Sequence, residues 1–366
     1  MVSSFVSTQY TMIFERKFQK YLKPLYIGFL ILLIILFVGI SFIPVSIDYD
    51  HYINATRSWL VNETRLYDDQ SNSFYYMPWS LVITAPLSFL PDRWGQTILN
   101  FLSFLGITLS LRLISKNVPW WGTLFVFANL FTFNLLFSAQ WDGLVLGAIS
   151  LGLWSIEEKK PLGAGIALTI MSTKPTNVFL VILMIVVYLL IKWDKVSLIR
   201  TAIIPFIAGI SSFAISGADW PLRYLQFLSV NPPPNKYNLT LWHQANSFLA
   251  IGLILALIIV MVSWIATKNY QDHFLGIAEA IIFALLINLL LSNYVLSYHY
   301  IYTMPALGWL SKKQWIFALS VFGLMVSYVL GLANLILAPP YFVYPISIFV
   351  FCLALLFWES CTKSKN

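Results

Sequence analysis

Apolar runs of about 17–25 residues, the length that crosses a hydrocarbon core, recur along the chain with short polar clusters between them. The pattern predicts spans over 25–43, 94–111, 119–138, 142–156, 162–173, 175–191, 198–215, 247–266, 274–291, 294–310, 314–337 and 341–358. The first run is too long for a signal peptide, and no small-residue cleavage site follows it. Two further stretches read differently. Over 50–61, Tyr52, Ala55, Trp59 and Leu60 share one helical side while Asp50, Asn54, Arg57 and Ser58 lie largely elsewhere. This predicts an amphipathic helix lying flat, with its aromatics at headgroup depth. "YYMPWSLVITAPLSFLP" (75–91) is apolar but carries internal prolines. It reads as a re-entrant or interfacial segment that lines a cavity.

Composition agrees with a polytopic all-α membrane protein of about 11–12 transmembrane helices, folded as one integral-membrane domain over 1–366. Charged residues make up 10% of the chain, against about 25% in soluble domains. The net charge of +7 is a topology signal, and no nucleic-acid partner is expected. With Arg16, Lys17, Lys20 and Lys23 placed in the cytoplasm, 16 of the 22 Lys and Arg fall on the inner side. The positive-inside rule selects that orientation, with both termini cytoplasmic. Cys352 and Cys361, the two cysteines, both fall away from the predicted outer face. That leaves no outer disulfide framework or cysteine zinc site. No GxxxxGK[ST] or HExxH motif occurs, so nothing points to nucleotide hydrolysis or a zincin.

The unusual polar residues collect on the predicted outer side. The loop 44–93 carries Asp48, Asp50, His51, Arg57, Glu63, Arg65, Asp68 and Asp69. "SAQWDG" (138–143) presents Gln140 and Asp142, the loop 216–246 holds a Pro triplet among Trp, Tyr and His, and Tyr298 and His299 open a late span. Lys174 is the most informative position. It sits in "LTIMSTKPTNVFLV", between apolar runs and directly before Pro175. A charge there is unfavourable by about 2.5–3.5 kcal/mol on insertion scales, so its default reading is functional. A short helix, a Lys and a Pro together predict a broken helix at a polar cavity that opens outward.

These residues carry a resemblance. "DYDHYINATRSWLVNETRLYD" (48–68) resembles the opening of GT-C class integral-membrane glycosyltransferases, closest to the polyprenol-phosphate-mannose-dependent family 87. Asp48, Tyr49, Tyr52, Ala55, Arg57, Leu66, Tyr67 and Asp68 match its pattern in order. The Tyr-x-Pro and Ala-Pro-Leu of 75–91, the turn "AQWDGLVLG", "KPLGAGIALTIMSTKPTNVFLVIL", "HQANS" and "SNYVLSYHYIYTMPAL" are similar to later family elements. Asn293 stands where the family usually has Pro, and His243-Gln244-Ala245-Asn246 is an irregular version of its element.

The resemblance implies an inverting transferase with a GT-C-type fold. It would move a sugar, by family default mannose, from a polyprenyl-phosphate donor to a lipid or cell-surface glycan acceptor. The work would be done on the outer face of the plasma membrane, on a site built by the loops 44–93 and 216–246. Such chemistry needs a carboxylate base for the acceptor hydroxyl and cations for the departing phosphate. Asp48 is the expected base, and Lys174, His299 and Arg57 are the expected phosphate ligands. Asp50, Tyr76, Gln140, Asp142, Gln244 and Asn246 are candidates for sugar or acceptor contacts. Asp48-x-Asp50 resembles a metal-binding Asp-x-Asp pair, but no metal or other cofactor is expected, since cations around a lipid-borne phosphate suffice. The rival reading is a lipid or polar-solute transporter, where buried charge and broken helices also occur.

Overall fold

The computed structural model describes residues 44–62, 66–67, 74–115, 129–230, 277–292 and 297–310, with isolated positions at 39, 118 and 123. The predicted spans 314–337 and 341–358 lie outside the described residues, as do 247–266 and, Gly39 apart, 25–43. The regular secondary structure of the described residues is all helical, and no strand occurs among them. In chain order the α-helices are α1 (Ile47–Asn62), α2 (Leu81–Ser88), α3 (Asp92–Leu113), α4 (Leu130–Phe137), α5 (Asp142–Glu157), α6 (Pro161–Met171), α7 (Phe179–Lys192), α8 (Lys195–Ser216), α9 (Trp220–Val230), α10 (Ile277–Leu291) and α11 (Met304–Leu310). Three 3₁₀ turns, Pro78–Ser80, Pro175–Asn177 and Ser297–Thr303, join them where prolines or aromatic runs interrupt α-helix.

Helix α3 shows how a membrane sequence builds its core. Gln96, Asn100, Ser103, Gly106 and Ser110 recur at helical spacing and are buried, while Ile98, Phe101, Leu105 and Leu109 are exposed. Small and polar residues face protein and apolar ones face outward, the arrangement that lets membrane helices approach closely. Helix α5 meets this stripe through Gly143 and Gly147, and a Cβ on Gly147 would lie 2.8 Å from Gly106 Cα. Around this contact α5 packs on α6, α6 on α8, and α7 on α10. Helices α3 and α8 are each 22 residues long and apolar enough to cross a membrane, α8 with most of its surface outside the described core. Asp194 caps α8 by accepting from the Val196 and Ser197 amides, and Gly217 ends it at φ 84°, where glycine is unstrained.

The described part of the predicted span 119–138 is helix over Leu130–Phe137, which turns by 115° into α5. Two expectations change. The predicted span 294–310 is 3₁₀ over Ser297–Thr303 before α11 begins. Helix α1 forms as expected, but protein covers part of its aromatic side. Tyr52 is buried against Ala139 and the Tyr76 and Trp141 rings, whereas Trp59 is half-buried and Leu60 exposed. Thr56 bonds Thr84 at 2.8 Å, and the Trp59 indole donates to the Ile215 carbonyl at 3.1 Å. The 75–91 segment matches its reading as a non-spanning element, since α2 has eight residues with Pro86 inside, about 12 Å of helix.

Candidate active site

The bend between α4 and α5 brings the chemistry together. Ala139 takes a left-handed conformation (φ 50°), which reverses the chain and leaves backbone groups that need partners. Helix α3 and the start of α1 supply them. Asn100 donates to the Leu136 carbonyl at 2.9 Å, and Ser103 donates to that of Gln140 at 3.0 Å. Ser46 donates its hydroxyl to the Ser138 carbonyl at 3.0 Å, and the Tyr52 hydroxyl donates to that of Ala139 at 2.5 Å. Burial first, then the nearby Tyr76 and Asp48, push the Tyr52 hydroxyl well above its usual pKa. It therefore remains a donor. Fixed this way, the turn aims Gln140 and Asp142 to one side.

Lys174 arrives from the break between α6 and α7. Backbone groups freed by that break need partners in a bilayer, and Asn288 of α10 supplies them. Its carbonyl oxygen accepts from the Leu180 amide at 2.9 Å, and its amide nitrogen donates to the Thr176 carbonyl at 3.0 Å. Lys174 Nζ then lies 2.6 Å from Asp142 Oδ2 and 2.7 Å from Gln140 Oε1, with the Tyr76 and Tyr298 rings beside it at 5.6 and 5.3 Å. Asp142 is fully buried. Its other oxygen accepts from the Tyr302 hydroxyl at 2.9 Å and faces His299 Nε2 at 3.9 Å. A buried charge pair with its remaining lone pairs filled is the form that low-dielectric surroundings tolerate.

The amide of Gln140 links this pair to the first helix. Its Nε2 donates to Asp48 Oδ2 at 2.7 Å, while its Oε1 accepts from Lys174 and, at 3.3 Å, from the Tyr76 hydroxyl. Asp48, Gln140, Lys174, Asp142, Tyr76 and His299 are thus one connected cluster. Asp48 and Tyr76 are its half-buried members, and among the described residues no hydrogen bond occupies Asp48 Oδ1. The chemistry available is a carboxylate oxygen open to a hydroxyl, a few side chains away from an ammonium with one N–H beyond those given to Gln140 and Asp142.

The structure does not bring Arg57 or Asp50 into this cluster. Arg57 donates to the Ser88 and Leu90 carbonyls and pairs with Asp92 at 2.7 Å, so it fastens α1 to the corner between α2 and α3. The physical reason is local: open carbonyls at that corner and an acid in the first turn of α3 lie within its reach. Asp50 makes no side-chain hydrogen bond or ion pair with the cluster among the described residues. Burial, ahead of nearby Asp92, raises the Tyr49 hydroxyl's pKa. Asp48 and Asp50 also occupy the first turn of α1, where carboxylates suit the helix dipole. Gln244, Asn246 and the loop beyond Val230 lie outside the described residues, as do Glu63, Arg65, Asp68 and Asp69. Among the described residues no group of three or more His, Cys, Asp and Glu side chains is arranged to hold a metal ion.

Sequence reasoning missed Tyr302, Asn288, Trp141 and the α3 stripe. Trp141 is buried with its ring 4.3 Å from that of Tyr76, and its indole N–H has no partner among the described residues. The signal for the stripe was present, as polar or small residues at 96, 100, 103, 106 and 110 within an apolar run.

Residues 74–293 match the model of glycosyltransferase family 87, well over half of the chain and including the turn, the break and Asn288. The chain belongs to glycosyltransferase family 87. It is accordingly a membrane glycosyltransferase, which favours the enzyme over the transporter. Asp48 and His299 flank the matched region, and the cluster joins them to it. No curated protein and no solved structure matches the chain.

Proposed function

We propose that this family 87 glycosyltransferase moves a sugar, by family default mannose, from a polyprenyl-phosphate donor to a hydroxyl of a lipid or cell-surface glycan acceptor. The supporting observation is the linkage of Asp48 to Lys174 through Gln140, which sets a carboxylate and a cation at two ends of one network. Asp48 Oδ1 takes the proton of the acceptor hydroxyl as its oxygen bonds to the anomeric carbon. The bond from that carbon to the phosphate oxygen breaks on the opposite face of the sugar, so configuration inverts. Lys174 and His299 stabilise the negative charge left on the polyprenyl phosphate. Asp142 acts as counter-ion to Lys174, a different role from the sugar contact the sequence suggested. Tyr76 is the sugar contact that the geometry favours, beside Lys174 and the Trp141 ring. Arg57 takes no part in phosphate binding in this scheme, and the reaction is drawn without a metal.

A site on the outer face is supported by the order of helix ends, and the plasma membrane is the membrane this reading assigns. Asp92, Asp142 and Phe179 begin α3, α5 and α7 at the site's end, whereas Arg112, Lys159, Lys160, Lys192 and Lys195 lie at the far ends of these helices and their neighbours. Helix α5 alone separates the two levels by about 24 Å. The positive-inside rule then puts the basic ends in the cytoplasm and the site outside. The test is transfer itself: purified chain with polyprenyl-phosphate sugars of mannose, glucose and arabinose, and membrane lipid as acceptor. Transfer with inversion from one of these donors is expected. Transfer from a nucleotide sugar and from none of the polyprenyl phosphates overturns the reading.

A further inference from the structure

We infer that Gln140 is a positioning residue, which turns the Asp48 carboxylate toward the acceptor and ties its alignment to the Lys174 end of the site. The inference rests on Asp48 being the base, and it replaces the sugar contact first expected of Gln140. Gln140 is buried at 3% exposure. Both ends of its amide are taken by groups of opposite charge: Nε2 gives a hydrogen to Asp48 Oδ2 at 2.7 Å, and Oε1 receives one from Lys174 at 2.7 Å. The chemistry forces this orientation. A reversed amide would set NH₂ against an ammonium and an oxygen against a carboxylate.

Three consequences follow from the amide's place. The bond to Oδ2 stops rotation of the Asp48 carboxyl group and presents Oδ1, the oxygen with no bond among the described residues. Lys174, pulling on Oε1, polarises the amide and strengthens its N–H toward Asp48. The amide itself cannot turn, because Tyr76 donates to Oε1 at 3.3 Å and Ser103 fixes the Gln140 carbonyl on the backbone. Groups of charge or titratable character around the Asp48 end are Lys174 and Asp142 through Gln140, and Tyr52 and Tyr76 from α1 and the 75–77 segment. A carboxylate in place of the amide keeps an oxygen for Lys174 and Tyr76 but sets a second, negatively charged oxygen against Asp48.

The experiment compares Gln140→Glu with Gln140→Met in the full chain. It measures transfer from the donor the wild type uses, its pH profile, and binding of a short-chain polyprenyl phosphate. Gln140→Glu should bind polyprenyl phosphate within about threefold of wild type, yet lose roughly tenfold or more in kcat. Its activity should also fail on acidification about one pH unit or more earlier, because two carboxylates at this separation share a proton to a higher pH than one alone. Gln140→Met has neither polar end and should weaken both transfer and phosphate binding. If Gln140→Glu keeps wild-type kcat and the wild-type acid limb, Gln140 does not position the base. If its kcat and phosphate binding fall in parallel, with an unmoved acid limb, Gln140 contacts substrate or merely supports the fold, and the inference fails. Asp48→Asn separates this failure from that of the underlying reading. An inactive Asp48→Asn beside a normal Gln140→Glu removes only the role of Gln140, whereas an active Asp48→Asn removes both.

Discussion

Lys174 and Asp142 form a buried ion pair at 2.6 Å, with Asp142 at the start of α5 and Lys174 in the break after α6. The pair makes two effects of Lys174 separable. Lys174→Met leaves Asp142 buried without its counter-ion, and removing one partner of such a pair is destabilising by about 3–5 kcal/mol. The double variant Lys174→Met with Asp142→Asn should recover much of that stability, read as the midpoint of thermal unfolding in detergent. It should not recover affinity for polyprenyl phosphate, which falls roughly ten- to a hundredfold with loss of one charge-assisted contact. Recovery of binding in the double variant would place the phosphate elsewhere.

Asn288 makes a second test because it touches no reacting group. Asn288→Leu fills the space but removes the partners of the Leu180 amide and the Thr176 carbonyl. Unsatisfied buried groups of this kind destabilise by about 1–3 kcal/mol each. The Lys174 segment should loosen, with weaker polyprenyl phosphate binding and a lower unfolding midpoint. Unchanged binding and midpoint would show that the break holds without this support.

Close contact of α3 with α5 sets the level of the whole turn. Gly147→Ala should destabilise the chain by about 1–3 kcal/mol, as overpacking does. Gly209→Ala on α8, where a Cβ meets nothing within 4 Å, should stay within about 0.5 kcal/mol of wild type. Equal unfolding midpoints for the two variants would contradict the packing described.

Much of this site was legible in the sequence, for identifiable reasons. Lys174 stood out because a charge beside Pro175 in an apolar run has few structural explanations. Asp48, Gln140 and Asp142 were found through family-like patterns, which mark positions without giving contacts. Tyr302 and Asn288 were not found. A hydroxyl or amide among leucines hardly changes hydropathy, and their partners lie 160 and 108 residues away. Arg57 was misplaced because chain neighbourhood does not give direction, and it sits on the face of α1 that meets Asp92. The same limit applied to the aromatics of α1. Spacing placed Tyr52 and Trp59 on one helical side, but only the packed structure shows that protein covers Tyr52.

The topology has its own check. Reporters placed after Lys116, Lys160, Lys195 or Lys313 should report cytoplasm, and those near Asn72 or Asp219 the outer side. A cytoplasmic signal at Asn72 together with an outer one at Lys160 would invert the membrane orientation and put the site inside.

The most direct measurement is transfer by Asp48→Asn. The variant keeps the size of the side chain and a group that can still meet Gln140, but it has no carboxylate to take a proton. With polyprenyl phosphate binding and unfolding midpoint near those of the wild type, sugar transfer should fall by about 10²–10⁴. Transfer within a fewfold of wild type would contradict Asp48 as the base of this glycosyltransferase.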